Sequence, residues 1–188
     1  MGRRGRTSLR RGFKSEANTL ARAVRAELGL AAADALDPWV LATHLGIPLL
    51  PLSALAEAIP EAVAYLTSGD SSALSAVTVF RGTRRLIVHN DAHSRQRQAS
   101  DLAHELAHAL LQHRPHAAFD ALGCRVWREV EEAEAEWLAG ALLVSEDAAL
   151  AVVRRGLTIL EAARAYGVSE AMMRFRLNVT AARRRVVA

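Results

Sequence analysis

Arg95 to His113 is the stretch that most limits what this chain can become. It contains no proline and no glycine, and Ser94 stands before it as an N-cap. Leu102, Ala103, Leu106, Ala107, Leu110 and Leu111 recur within it at helical spacing. A buried helix is expected here, with the rest of the chain packed around it. Inside that helix lies His104-Glu105-Leu106-Ala107-His108. Residues four apart stand about 40° apart around a helix axis, so both imidazoles project from one face. Polar groups on a helix that is otherwise core need partners, because burying them unpaired is costly.

Two imidazoles at that spacing suit one divalent ion, and the glutamate after the first can hold a water as general base. Such a site needs a third ligand. Arrangements in which glycine and histidine follow at fixed offsets are excluded, because those offsets fall on Leu111 and Arg114. His113 is expected on the wrong side of the helix, and His116 follows Pro115 in a loop. The acidic run Glu129, Glu131, Glu132, Glu134 and Glu136 offers more. Trp137, Leu138, Ala141 and Leu142 mark an apolar stripe, and Glu134 precedes them by three, four, seven and eight residues. A carboxylate on that stripe needs a partner, so Glu134 is the expected third ligand. Glu132 and Glu136 line up with Ala139 and Leu143 and are expected to face solvent. Asp101 is placed to accept a ring N–H from a ligand histidine or to pair with Arg97.

A chain of 188 residues, 51% hydrophobic and 23% charged, fits one ordinary globular domain with room for a small appendage. The lone Cys124 excludes an intrachain disulfide framework and fits a reducing compartment; we read it as a structural thiol. Net charge is +4, Lys14 is the sole lysine, and arginines gather at both ends. That arginine bias reads as GC-rich coding, and the basic ends as solvated tails. No apolar run reaches a membrane span, and the basic N-terminus lacks the apolar stretch of a secretory signal. A cytoplasmic protein is expected.

Residues 1–11 read as a disordered basic tail, residues 12–150 as the main domain and 151–188 as a helical segment packed on it. Ser15 to Leu28 fits an amphipathic helix, and Asp37-Pro38 opens another that ends near His44. Ile47 to Leu52 reads as an extended edge piece, and 53–66 as helix interrupted by Pro60. Ala76–Phe80 and Arg85–His89 form a hairpin around Arg81-Gly82-Thr83-Arg84. Loops are expected at 68–72 and 114–123, then a helix from about Arg125 to Leu143. Leu157 to Val179 reads as helix, turn at Gly167, helix.

In order along the chain, these pieces resemble the ImmA/IrrE metallo-endopeptidases. The resemblance is carried by Arg11-Gly-Phe-Lys-Ser-Glu-Ala17, Asp37-Pro38, Leu86-Ile-Val-His-Asn90, Arg97-Gln98, His104 to Leu111, Glu134 to Leu143, Tyr166 to Ser169 and Arg176-Leu177. It covers roughly residues 11–178. Glu136 and Leu138 stand where the family has Asn and Phe, and Val144-Ser145 where it has Met-Pro. The resemblance implies an α+β, zincin-like minimal peptidase: a helical bundle on a sheet of about three strands, antiparallel or mixed, with a C-terminal helix-turn-helix-like pair. It implies Zn²⁺, with Mn²⁺ or Fe²⁺ as alternatives, on His104, His108 and Glu134, and Glu105 as the base. It also implies a helix-turn-helix repressor as substrate, whose loss releases stress or mobile-element genes. Oxyanion stabilisation is open among Tyr65, Tyr166, His89 and Arg174.

A second reading stays open. Leu160 to Leu177 fits a helix-turn-helix, with Gly167 at the turn and Ser169 as N-cap, and Arg174 and Arg176 placed for phosphates. A DNA- or repressor-binding module with a non-catalytic metal site is the alternative. A helical hairpin with Met172, Met173, Phe175 and Leu177 in the core is the more favoured reading of this segment.

Overall fold

The computed structural model describes residues 9–68, 74–113 and 129–187. The chain begins with α1 (Phe13–Glu27), α2 (Pro38–His44), β1 (Leu49–Pro51), a 3-10 turn at Leu52–Leu55 and α3 (Pro60–Ser68). The hairpin β2 (Ala76–Arg81) and β3 (Arg84–His89) leads into α4 (Arg95–Leu110). After it come α5 (Glu129–Leu143), α6 (Glu146–Arg154), α7 (Ile159–Ala165), α8 (Glu170–Val179) and α9 (Ala182–Val187). Of the loop expected at 68–72 all but Ser68, the loop expected at 114–123 with His116, Cys124, and the stretch from Arg125 where a helix is expected to begin lie outside the described residues.

The three strands form one mixed sheet in the order β1-β3-β2. β1 runs parallel to β3, with Leu49 beside Ile87, and β2 runs antiparallel, with Thr78 beside Ile87 and Arg81 beside Arg84. Gly82 turns the hairpin at φ 62°, a left-handed conformation that glycine takes without steric penalty. β2 alternates half-buried and exposed side chains, so Ala76, Thr78 and Phe80 share the face toward the helices. Pro51 sits on β1, an edge strand, where a missing N–H costs little.

The helical layer is built on α1, α4 and α5. Phe13, Ala17, Ala21 and Val24 of α1 are buried with Leu102, Ala103, Leu106 and Ala107 of α4. In α5 every residue from Leu138 to Leu143 is buried, so this helix is covered all round rather than along one stripe. Its C-terminal end is held by two fully buried arginines. Arg25 donates to the carbonyls of Leu142 (2.6 Å), Ala21 (3.1 Å) and Asp34 (3.1 Å), and Arg176 Nε to that of Val144 (2.8 Å). Cations at a helix C-terminus satisfy its orphan carbonyls and oppose its dipole. Burial lowers both guanidinium pKa values to about 10, which still leaves them charged at neutral pH.

Several expectations shift. α1 begins at Phe13 behind Gly12, earlier than Ser15. Leu9, within the stretch read as a tail, packs against the core, and Arg10 pairs with Glu134. α6 was not foreseen, although Ser145 caps it by accepting from Ala148 N (2.9 Å), with Glu146 and Asp147 in its first turn. The α7–α8 pair meets the favoured expectation in Met173 and Leu177, which are buried, but Phe175 is 40% exposed. No helix among the described residues is long and apolar enough to cross a membrane.

Candidate metal centre

Ser94 caps α4 as expected, and the helix presents His104 and His108 together. Their Nε2 atoms lie 3.1 Å apart and their rings meet edge to face at 4.7 Å. α5 packs along this face of α4 and brings Glu132. Its Oε2 is 3.4 Å from His104 Nε2 and its Oε1 is 3.6 Å from His108 Nε2. The three ligand atoms lie within 4.8 Å of one another. Donors bound tetrahedrally at about 2.0–2.1 Å stand about 3.3 Å apart, so this donor set fits a zinc-sized ion with little adjustment.

Glu134, the expected ligand, is elsewhere. Its side chain is buried, with Oε1 accepting from Arg10 Nε at 2.7 Å and Oε2 lying 3.8 Å from His113 Nε2. Two residues along a helix is about 200° around it, so Glu132 and Glu134 cannot both face α4. The expectation that a buried carboxylate must be paired holds for Glu134, but its partners are a guanidinium and an imidazole. Glu132 is partly exposed, as expected, but its carboxylate is turned to the two histidines. The expectation rests on one apolar stripe, whereas α5 is buried all round only from Leu138 on; Glu136 does face solvent, while Ala135 and Ala139 on the same side as Glu132 are buried.

Glu105 stands beside the pair on the side of the sheet. Thr78 Oγ1 of β2 donates to its Oε2 at 2.5 Å. Thr78 was not singled out from the sequence. The available signal was its place on the inward face of a strand that leads into α4.

The expectation that His113 lies on the wrong side of the helix rests on a helix that continues to it. α4 ends at Leu110, and Gln112 takes a left-handed backbone at φ 55°. The chain folds back, His113 N bonds to the His108 carbonyl at 3.0 Å, and the two rings approach with Nδ1 atoms 2.8 Å apart. Asp101 lies 3.4 Å from His93 Nδ1 and 3.9 Å from Arg97 Nε, so the Arg97 pair forms and the carboxylate goes to His93 rather than to a HExxH histidine.

Electrostatics separate the two histidines. Burial works against a charged His104, yet its hydrogen bond to Glu132 and the charges of Glu105 and Glu132 prevail and raise its pKa. Burial, then the charge of His104, lowers that of His108. Two proposed oxyanion groups are committed to other partners: Tyr166 donates to the Ala33 carbonyl at 2.9 Å, and Arg174 pairs with Glu170 at 2.6 Å. Tyr65 is exposed on α3, and His89 is buried edge-on to Trp39.

A small α+β domain with a His-Glu-His helix, a converging carboxylate and a sheet edge beside them has the make-up of a metallopeptidase. Residues 45–178 match the family model of the IrrE N-terminal-like domain, peptidase M78, and the chain belongs to that family. No curated protein matches the sequence significantly.

Proposed function

We propose that this protein is a metal-dependent endopeptidase in which His104, His108 and Glu132 hold the ion and Glu105 is the general base. The observation that carries the reading is the convergence of the Glu132 carboxylate on both HExxH imidazoles at ligand spacing. Two imidazoles and a carboxylate suit Zn²⁺ best, and Mn²⁺ or Fe²⁺ share the donor types. When bound, the ion would polarise the scissile carbonyl and acidify the attacking water. Glu105, oriented by Thr78, takes the proton of that water and delivers it to the leaving amine. Among the described residues β2 has one edge free of other strands, so an extended peptide can add to it beside Glu105. A groove of about 900 Å³ lined by Leu45, Ile47, Phe80, Ala109 and Leu110 opens beyond it, one helical turn from Glu105.

The family resemblance supports a cytoplasmic helix-turn-helix repressor as the protein substrate, and regulation of transcription as the outcome. The DNA-binding alternative is weakened by Arg176, which is fully buried against Val144, and by Arg174, which is paired with Glu170. The test is incubation of the zinc-loaded protein with purified repressors of this class, followed by mass spectrometry. Cleavage at a defined bond is expected, lost with a chelator and with Glu105→Gln. An intact repressor bound stably by the loaded protein would instead favour a non-catalytic binding module.

A further inference from the structure

His108 has two ring nitrogens, and the second has its own partner. We propose that His113 and Glu134 are positioning residues that hold His108 in the tautomer and orientation a metal requires. They do so through a chain that runs outward from the site: His108 Nδ1 to His113 Nδ1 at 2.8 Å, His113 Nε2 to Glu134 Oε2 at 3.8 Å, and Glu134 Oε1 to Arg10 Nε at 2.7 Å. The inference rests on the metal site proposed above.

Each link fixes the next. To offer Nε2 as a ligand, His108 carries its proton on Nδ1, where it donates. His113 Nδ1 then accepts, which places the His113 proton on Nε2, facing Glu134. A carboxylate only accepts, so the direction cannot reverse at that end. The 3.8 Å link is a contact between the Glu134 charge and the neutral ring's N–H dipole, longer than a hydrogen bond in the present geometry. Arg10 closes the chain and compensates the charge of Glu134, which is 5% exposed and would be costly to bury alone. Outward partners of this kind set ring orientation and ligand basicity at metal sites. The fold is built to supply this one: α4 stops at Leu110, and Gln112 takes a backbone conformation that non-glycine residues seldom adopt. That turn brings the His113 ring onto His108.

The test is zinc affinity by chelator competition for the wild type, His113→Phe, His113→Asn and Glu134→Gln, with long-range ¹H–¹⁵N spectra of the zinc-loaded forms to read the His108 tautomer. His113→Phe fills the space but cannot accept, and is expected to weaken zinc binding about 10- to 100-fold. His113→Asn offers Oδ1 to the same N–H and is expected to recover most of that loss, as a merely space-filling role would not. Glu134→Gln should weaken binding in the same direction, by less. Affinity within about twofold of wild type for His113→Phe, or no recovery with His113→Asn, would overturn this inference alone. A wild type that binds no zinc would overturn the metal reading along with it.

Discussion

Glu132 and Glu134 show how finely a site depends on which side of a helix a side chain leaves. Both are glutamates in one acidic run, and the buried one was the better ligand candidate by cost alone. The structure pairs that one with Arg10 and His113 and turns the other to the histidines. HExxH was legible because its geometry is local to one helix. The proposed third ligand, Glu132, was not, because its place depends on which face of α5 meets α4. Thr78 offers a test at the same scale. A hydrogen bond to a charged group contributes about 1.5–3 kcal/mol. Thr78→Val is therefore expected to lower single-turnover cleavage of the protein substrate by about tenfold or more. Zinc content should be unchanged, and Thr78→Ser should retain most of the rate. Equal rates for Thr78→Val and wild type would remove Thr78 from the account. His89 supplies a pH prediction. Burial lowers its folded-state pKa below the ordinary value of 6.5. As pH falls through 6.5, the unfolded chain takes a proton that the folded chain resists, so stability falls with pH there. Up to about 1.4 kcal/mol per pH unit is at stake. Denaturation midpoints of metal-free protein followed from pH 7 to 5 should fall less steeply for His89→Gln than for wild type.

At the scale of elements, periodicity and caps carried most of the reading. Asp37-Pro38, the hairpin, the Ser94 cap and the turn at Gly167 all lie where expected, because each is a local signal. α5 is the exception: its apolar residues run consecutively, so periodicity assigns no single face. What locks it is visible only in three dimensions. Arg25 from α1 and Arg176 from α8 reach the last carbonyls of α5 and the residue after it. Nothing local marks either arginine as different from the many exposed ones. Arg25→Met keeps much of the volume but leaves those carbonyls unpaired, at about 1–3 kcal/mol for each buried group left unsatisfied. Urea titration should show a loss of at least about 2 kcal/mol. Arg22→Met on the same helix breaks only half-exposed surface pairs with Asp147 and Glu146 and should cost about 1 kcal/mol or less. Similar losses for the two would show that Arg25 is not a structural cap.

At the scale of the molecule, the site belongs to no single element. α4 supplies two imidazoles and a carboxylate, α5 a second carboxylate, and β2 the hydroxyl that holds Glu105. Among the described residues the sheet leaves an open edge beside them. The α+β class and the helical C-terminal pair were legible from the order of patterns along the chain. The register of α5 against α4 was not, because it is a long-range packing outcome. The central claim is that register, and zinc content measures it directly. Purified wild type, Glu132→Ala and Glu134→Gln would each be titrated with zinc to saturation and the metal bound per chain read at equilibrium. The account predicts about one zinc in the wild type and in Glu134→Gln at saturating metal, and none in Glu132→Ala. Zinc retained by Glu132→Ala and lost by Glu134→Gln would contradict it.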